Sequence, residues 1–229
     1  WRAFPAVFGL EGAPMLVFDQ IGNLISRADT PAGINESYTY DKLNRLATGP
    51  ACSYSYDDGG NLTSKPGAGT LTYLAGGHRL NLAGTSYDNN GNITSKPVSG
   101  GSVTVNAYTP FNLPQTITRT GGTSLVYDYD GDRARVKEVS TVAGATTTTV
   151  YVGNQFFEEI TKDGVKSARY YVGSPDGVIA VVSVGNAATG AGRSDKYWLK
   201  DHLGSLYAEM NKDGGSVQRV GFDAWGGRY

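Results

Sequence analysis

Along most of the chain, apolar and polar positions alternate with a period of two, as in Tyr38-Thr-Tyr40, Tyr54-Ser-Tyr56 and Tyr127-Asp-Tyr129. That period marks half-buried β-strands. The alternation breaks repeatedly at one polar cluster: aromatic-Asp-x-x-(Gly/Asn)-(Asn/Arg)-(Leu/Ile). It reads Phe18-Asp-Gln-Ile-Gly-Asn-Leu24, Tyr40-Asp-Lys-Leu-Asn-Arg-Leu46, Tyr56-Asp-Asp-Gly-Gly-Asn-Leu62 and Tyr87-Asp-Asn-Asn-Gly-Asn-Ile93. The aromatics are separated by 22, 16 and 31 residues, and the last gap holds a degenerate copy, Tyr73-Leu-Ala-Gly-Gly-His-Arg-Leu80. Looser copies follow at Tyr108-Thr-Pro-Phe-Asn-Leu113, Tyr129-Asp-Gly-Asp-Arg133, Tyr151-Val-Gly-Asn154 and Tyr171-Val-Gly-Ser174.

The cluster reads as a turn. Asp19, Asp41, Asp57, Asp88 and Asp130 follow the aromatics Phe18, Tyr40, Tyr56, Tyr87 and Tyr129. Each Asp is expected to accept backbone N–H groups two or three residues on, as in an Asx turn. Gly22, Asn44, Gly60 and Gly91 supply a left-handed conformation, and the following Leu or Ile restarts a strand on the buried face. Arg133 stands where that turn has Gly, which predicts a strained or differently built copy. Pro66 and Pro97 are expected to close their strands, since Pro donates nothing to a ladder. A unit is thus a strand, a tight turn and a returning strand, and its repetition predicts an all-β ribbon of hairpins with less than about a tenth helix.

Val142–Val152 (VAGATTTTVYV) and Val178–Val184 (VIAVVSV) read as β-branched strands. Leu203–Asn211 is the one stretch with helical character, with strand propensity competing there, and Asn186–Ser194 (NAATGAGRS) reads as an exposed loop and nicking site. No domain boundary is evident.

Composition narrows the class. The 229 residues are 39% hydrophobic and 18% charged, with 15 Tyr and 32 Gly, too aromatic for disorder and too Gly-rich for helices. The net charge of −1 carries no footprint for nucleic acid or anionic membrane. Cys52 is alone, so no disulfide framework or cysteine metal site forms within the chain. There is no run of eighteen apolar residues to span a bilayer and no signal segment. The chain opens on Trp1 and stops at Tyr229, from which we expect a segment of a longer protein.

Candidate chemistry is sparse. His202 lies beside Asp201 and near Ser205, but neighbours on a strand point to opposite faces, and no nucleophile elbow is present. His78 has no evident partner. Asp128-x-Asp130-x-Asp132 begins like a calcium loop, yet its sixth and twelfth places hold Arg133 and Val139 instead of Gly and Glu. Asp57-Asp58 and Glu158-Glu159 are adjacent carboxylates that diverge on a strand. Sequons occur at Asn35, Asn61 and Asn92, two of them inside the repeated turn. No catalytic, cofactor or metal residue is therefore assigned, and we expect no enzyme.

The Tyr-x-Tyr-Asp turns resemble the YD repeats of the Rhs proteins, a family that includes teneurins and the insecticidal toxin-complex shells. The C-terminal residues Asp201-His202-Leu203-Gly204-Ser205, Asp213-Gly-Gly and Phe222-Asp223-Ala-Trp225-Gly226 look like the Rhs-associated core. The resemblance implies a repeat segment over 1–194 and a core region over 195–229 in one continuous sheet, spiralling as part of a hollow β-barrel shell. It also implies a non-catalytic structural role: a shell that encloses a C-terminal toxin, secreted or delivered by a bacterium. The implied partners are the remaining shell segments and the toxin cargo. The family's Asp-Pro cleavage segment and a toxin are absent from these residues. The competing readings are a surface adhesin or glycan-binding module that displays its Tyr-rich face, and an enzyme centred on His202.

Overall fold

A computed structural model describes residues 15–30, 33–50, 52–75, 77–153, 156–175, 177–201, 203–215, 217–222, 226 and 228. The chain divides into two compact units, one ending at Leu82 and one beginning at Ala83. Every regular element among the described residues is a strand.

The first unit contains three three-stranded antiparallel sheets. They are β1 (Met15–Phe18), β2 (Leu24–Asp29) and β3 (Ile34–Ser37); β4 (Thr39–Tyr40), β5 (Leu46–Gly49) and β6 (Cys52–Ser53); β7 (Ser55–Tyr56), β8 (Leu62–Lys65) and β9 (Gly69–Thr70). β3 and β4 are two halves of one extended run. The first half pairs back to β2 and the second pairs forward to β5. At the junction, the Tyr38 amide donates to the Ile25 carbonyl at 3.0 Å. The same switch recurs between β6 and β7, where Tyr54 donates to Ala47 at 2.9 Å. Each strand therefore belongs to two successive hairpins, which is how a repeat shorter than an ordinary hairpin pair propagates a ribbon.

The second unit is one thirteen-stranded antiparallel sheet in strict chain order. It begins with β10 (Ser86–Tyr87), β11 (Ile93–Val98), β12 (Gly101–Tyr108), β13 (Pro114–Arg119) and β14 (Thr123–Tyr129). It continues through β15 (Arg135–Val142), β16 (Ala145–Val152), β17 (Phe157–Lys162), β18 (Val165–Ser174) and β19 (Gly177–Val184). It ends with β20 (Ser194–Lys200), β21 (Leu206–Asn211) and β22 (Val217–Arg219). The strands β20, β21 and β22 belong to this same sheet. The sheet is open: β10 and β22 are not paired with each other, so the expected closure into a barrel is not present here. Alternation along a strand specifies two faces and carries no information on whether a first strand meets a last one.

Burial is shallow among the described residues. Among the described residues the buried hydrophobic side chains are Tyr127, Ala168, Val181 and Ala208. Cohesion therefore rests on ladders and cross-strand pairs more than on a two-layer core. The strand-restarting residues Leu24, Leu46 and Leu62 are half-buried, whereas Ile93 is exposed.

Several local expectations are corrected. Pro97 sits inside β11 opposite Ser102 instead of ending the strand. Ser102 turns its backbone N–H and C=O toward Thr120. The ring nitrogen of Pro97 is consequently not called on as a donor there. The run Val142–Val152 is split by a two-residue turn at Ala143 (φ 50) and Gly144 (φ 84), because successive positive φ values match the twist of a hairpin. Of the two readings of Leu203–Asn211, strand holds over Leu206–Asn211, where Ala208 and Met210 alternate into a paired register with β20 and β22. Tyr171-Val-Gly-Ser174 lies within β18 and makes no turn. Residues 186–192 do form an exposed loop between β19 and β20.

Candidate functional site

The four full copies of the repeated cluster fold the same way. At Asp57 the backbone N–H donates to the Asn61 carbonyl at 2.9 Å, and the Gly60 N–H returns to the Asp57 carbonyl at 3.0 Å. The carboxylate fills the loop: Oδ1 accepts the Asn61 N–H at 2.8 Å, and Oδ2 accepts the Asn61 side-chain amide at 2.8 Å. Asp19 accepts from the amides of Ile21 and Asn23 and from the Asn23 side chain. Asp88 accepts likewise from Asn90 and Asn92. Asp41 accepts from Leu43 and Arg45, with the Arg45 Nε on Oδ2 at 2.7 Å. The bonded amides are thus two and four residues on, not two or three. The residue four after the Asp is Asn or Arg, and its side chain reaches Oδ2.

Three less regular copies share the geometry. Asp130 accepts from Asp132 and Ala134, and Thr109 Oγ1 accepts from Leu113 at 3.1 Å. Asp201 accepts from Leu203 and Ser205 at 2.9 Å each, while the Gly204 N–H meets the Asp201 carbonyl at 3.0 Å. Asp201, Leu203, Gly204 and Ser205, one part of the stretch that resembles the core motif, therefore build another copy of the same turn, with Lys200 in the aromatic's place. The fourth loop position is left-handed throughout: Gly22, Gly60, Gly91 and Gly204 at φ 83 to 94, and Asn44, Asn112 and Arg133 at φ 60 to 64. Arg133 thus builds the ordinary turn despite its side chain, and its guanidinium lies 5.5 Å from the Phe111 ring of the preceding turn. Phe18, Tyr40, Tyr56, Tyr87 and Tyr129 each precede the loop and pair with the residue six on, across a bulge.

Four of these carboxylates, Asp19, Asp41, Asp57 and Asp88, are held ionised by this arrangement. Asp57 and Asp88 lie below the ordinary carboxylate pKa chiefly through the side-chain amides of Asn61 and Asn92. Asp41 is lowered first by the Arg45 backbone N–H. At Asp19 desolvation pushes upward, and the Asn23 and Ile21 donors outweigh it.

A feature that the sequence reading missed joins successive repeats. The Tyr40 hydroxyl donates to the Leu24 carbonyl at 2.9 Å, Tyr56 to Leu46 at 2.9 Å and Tyr73 to Leu62 at 2.7 Å. In the second unit Tyr108 donates to Ile93 at 2.6 Å and Tyr129 to Pro114 at 2.7 Å. Each acceptor is the residue that restarts the strand after the preceding turn. The turn aromatic of one repeat thus staples the turn of the repeat before it. Burial raises the pKa of the Tyr40, Tyr56 and Tyr108 hydroxyls.

A second recurrent group joins carboxylate, cation and aromatic. Glu36 accepts Arg27 Nε at 2.7 Å and the Tyr38 hydroxyl at 2.6 Å. Glu138 is met by Arg135 and Tyr151, each at 3.3 Å. Glu158 is met by Arg169 at 3.4 Å and by Tyr171, and Glu209 by Lys196 and by Trp198 Nε1 at 3.1 Å.

The remaining candidates are placed as follows. Asp128 faces Lys137 at 3.8 Å while the Asp130 carboxylate turns into its own loop, so the two do not converge. Glu158 and Glu159 pair with Arg169 and Ala168 on opposite faces. His78 Nδ1 does have a partner, the Asn61 Oδ1 at 2.5 Å. The amide nitrogens of Asn61 and Asn92 are committed to Asp57 and Asp88. Phe222 bridges to Arg228, and Gly226 has φ 79. His202, Asp223 and Trp225 lie outside the described residues. No helix among the described residues is long and apolar enough to cross a membrane.

These observations define a class by architecture: an open antiparallel sheet built from one turn, repeated and cross-stapled. Neither a family model nor a curated protein matches the chain. Solved structures do. A chain of the TcdB2-TccC3-Cdc42 crystal structure superposes with a TM-score of 0.74 at 17% identity, over 95% of this chain and 14% of that one. A chain of TcdB2-TccC3-TEV gives 0.73 at 18% identity, over 94% of this chain and 13% of that one. TcdB2-TccC3 without its hypervariable C-terminal region gives 0.74 at 17%, over 94% and 13%. The likeness is one of fold, and this chain spans about one seventh of those chains.

Proposed function

We propose that the chain is a non-catalytic wall segment of an Rhs-type shell, one that encloses a C-terminal toxin or effector in a secreted or delivered bacterial protein. The observation that carries this reading is the fold likeness over 95% of the chain to part of a much larger toxin-complex chain. The YD-type turns point the same way. In a wall, the polar residues of each repeat are spent on its own geometry, and the Asp carboxylates here do accept donors from their own loops. Its partners are the neighbouring shell segments and the enclosed cargo.

The test uses the longer parent protein with His202→Ala beside wild type, measuring folding, self-cleavage and cargo retention separately. The wall reading expects a change in stability at most, with cleavage and retention intact. Normal folding with complete loss of cleavage would make His202 catalytic and overturn it.

A further inference from the structure

The register of the second unit puts Glu158, Arg169 and Tyr171 on one face, and Val181 and Lys196 carry that face across to Trp198. Near the β18–β19 turn, Phe156, Glu158, Tyr171, Pro175, Val178 and Trp198 line a cleft of about 780 Å³. The Tyr171 and Trp198 ring centroids are 5.9 Å apart, with the ring planes inclined at 58°. The two rings form a corner, not a flat platform, and a corner wraps a compact rounded group better than a planar one. Both give their polar hydrogen to a carboxylate: the Trp198 Nε1–H donates to Glu209 at 3.1 Å, and the Tyr171 hydroxyl donates to Glu158. Their faces are thereby made electron-rich and keep no donor of their own. Phe156 supplies the third ring. It packs so closely on Gly173 that a Cβ there would sit 3.1 Å from it, yet it is 55% exposed.

Three rings beside one carboxylate attract an organic cation through cation–π contact. The hydrogen bonding on offer decides which cation. Glu158 is only 14% exposed and already meets Arg169 and Tyr171. A primary ammonium, with three N–H groups to satisfy, is poorly served there, whereas a trimethylammonium needs no acceptor. The rim decides what that cation carries. The Arg169 guanidinium, 51% exposed, meets the Glu158 carboxylate at 3.4 Å, and Lys200 Nζ lies 2.5 Å from where a Gly177 Cβ would stand. These groups repel a bare cation and complement one that brings its own anion close by. We propose that this cleft binds a phosphocholine group, its trimethylammonium among Phe156, Tyr171 and Trp198 and its phosphate on Arg169. Rings already held in place lose little freedom on binding, which favours a site of this kind. The site is built from this chain's own side chains and stands whether or not the chain serves as a shell wall.

The 229-residue chain is titrated with phosphocholine, choline and phosphoethanolamine, with binding read by calorimetry and ligand-detected NMR. Phosphocholine is expected to bind saturably at about millimolar concentration. Choline lacks the phosphate and phosphoethanolamine lacks the methyl groups, so each should bind about tenfold more weakly. Phe156→Ala and Phe156→Leu should each weaken phosphocholine binding by about tenfold; the Leu variant keeps apolar bulk and removes the ring. Tyr197→Ala, which removes an exposed aromatic from the opposite face of the strand that carries Trp198, should leave binding unchanged. Co-sedimentation with phosphatidylcholine vesicles, competed by free phosphocholine, would make a lipid headgroup the source of the bound group, and phosphocholine binding without co-sedimentation would make it a soluble ester. The proposal is overturned if phosphocholine does not bind saturably, if choline or phosphoethanolamine binds as well, if both Phe156 variants bind like wild type, or if Tyr197→Ala weakens binding as much as they do.

Discussion

The aspartate of the repeated turn is a structural centre for its own five residues. Asp57 gathers two donors of Asn61 onto separate oxygens, so removing the carboxylate strands both, whereas an amide in its place still offers one acceptor. Asp57→Ala should therefore lower the melting temperature more than Asp57→Asn, and equal melting of both variants and the parent would count against the turn chemistry. The same groups set the pH limits. The folded pKa values of Asp19, Asp41, Asp57 and Asp88 are depressed below 3.8, so their stabilisation is present above that value and is lost as pH falls through the lowered ones. Tyr40, Tyr56 and Tyr108 are raised above 10, so theirs is complete below 10 and is lost as pH rises through the raised values. Thermal melts across pH should show a plateau with losses on both flanks; melting unchanged on going well below pH 3.8 would contradict the carboxylate account.

At the scale of the element, the turn tolerates sequence only where its left-handed position permits. Gly60 has φ 84 and open space where a Cβ would stand, so Gly60→Ala isolates backbone strain from packing. It should cost about 1 kcal/mol. Gly60→Asn should be close to neutral, because Asn44 and Asn112 already occupy that position in sister turns. Chemical denaturation measures both, and an Ala variant as stable as the Asn variant would refute the strain argument. These turns are the part of the fold most legible in the sequence, because Asp, Gly and Asn occupy them for local reasons that do not depend on distant contacts. The copy at Thr109 is only loosely legible, since Thr supplies one acceptor where Asp supplies two. The tyrosine staples are not legible at all: their acceptors are main-chain carbonyls, which every residue has, so no residue type marks the partner. The Glu-centred groups are hidden for another reason. Glu138 and Tyr151 are brought together by the pairing of β15 with β16, a relation that periodicity does not encode.

For the molecule as a whole, the thirteen-stranded sheet ends at β22, a strand of three residues with no strand partner beyond it among the described residues. Open edges template further pairing. The 229-residue chain alone should self-associate as concentration rises, and sedimentation velocity showing one monomeric species at high concentration would argue against an open edge. A repeated sheet of this kind transmits order from each repeat to the next, and the hydrogen bond from the turn tyrosine hydroxyl recurs across that junction. Losing one such bond should cost about 0.5–1.5 kcal/mol. The most direct measurement is amide hydrogen exchange of wild type beside Tyr129→Phe, which removes only the oxygen that meets the Pro114 carbonyl. Exchange is predicted to quicken around the two joined turns, near Asp130 and at the start of β13, with the remaining strands unchanged. Unaltered exchange at those turns would contradict the account, as would a uniform acceleration over the whole sheet.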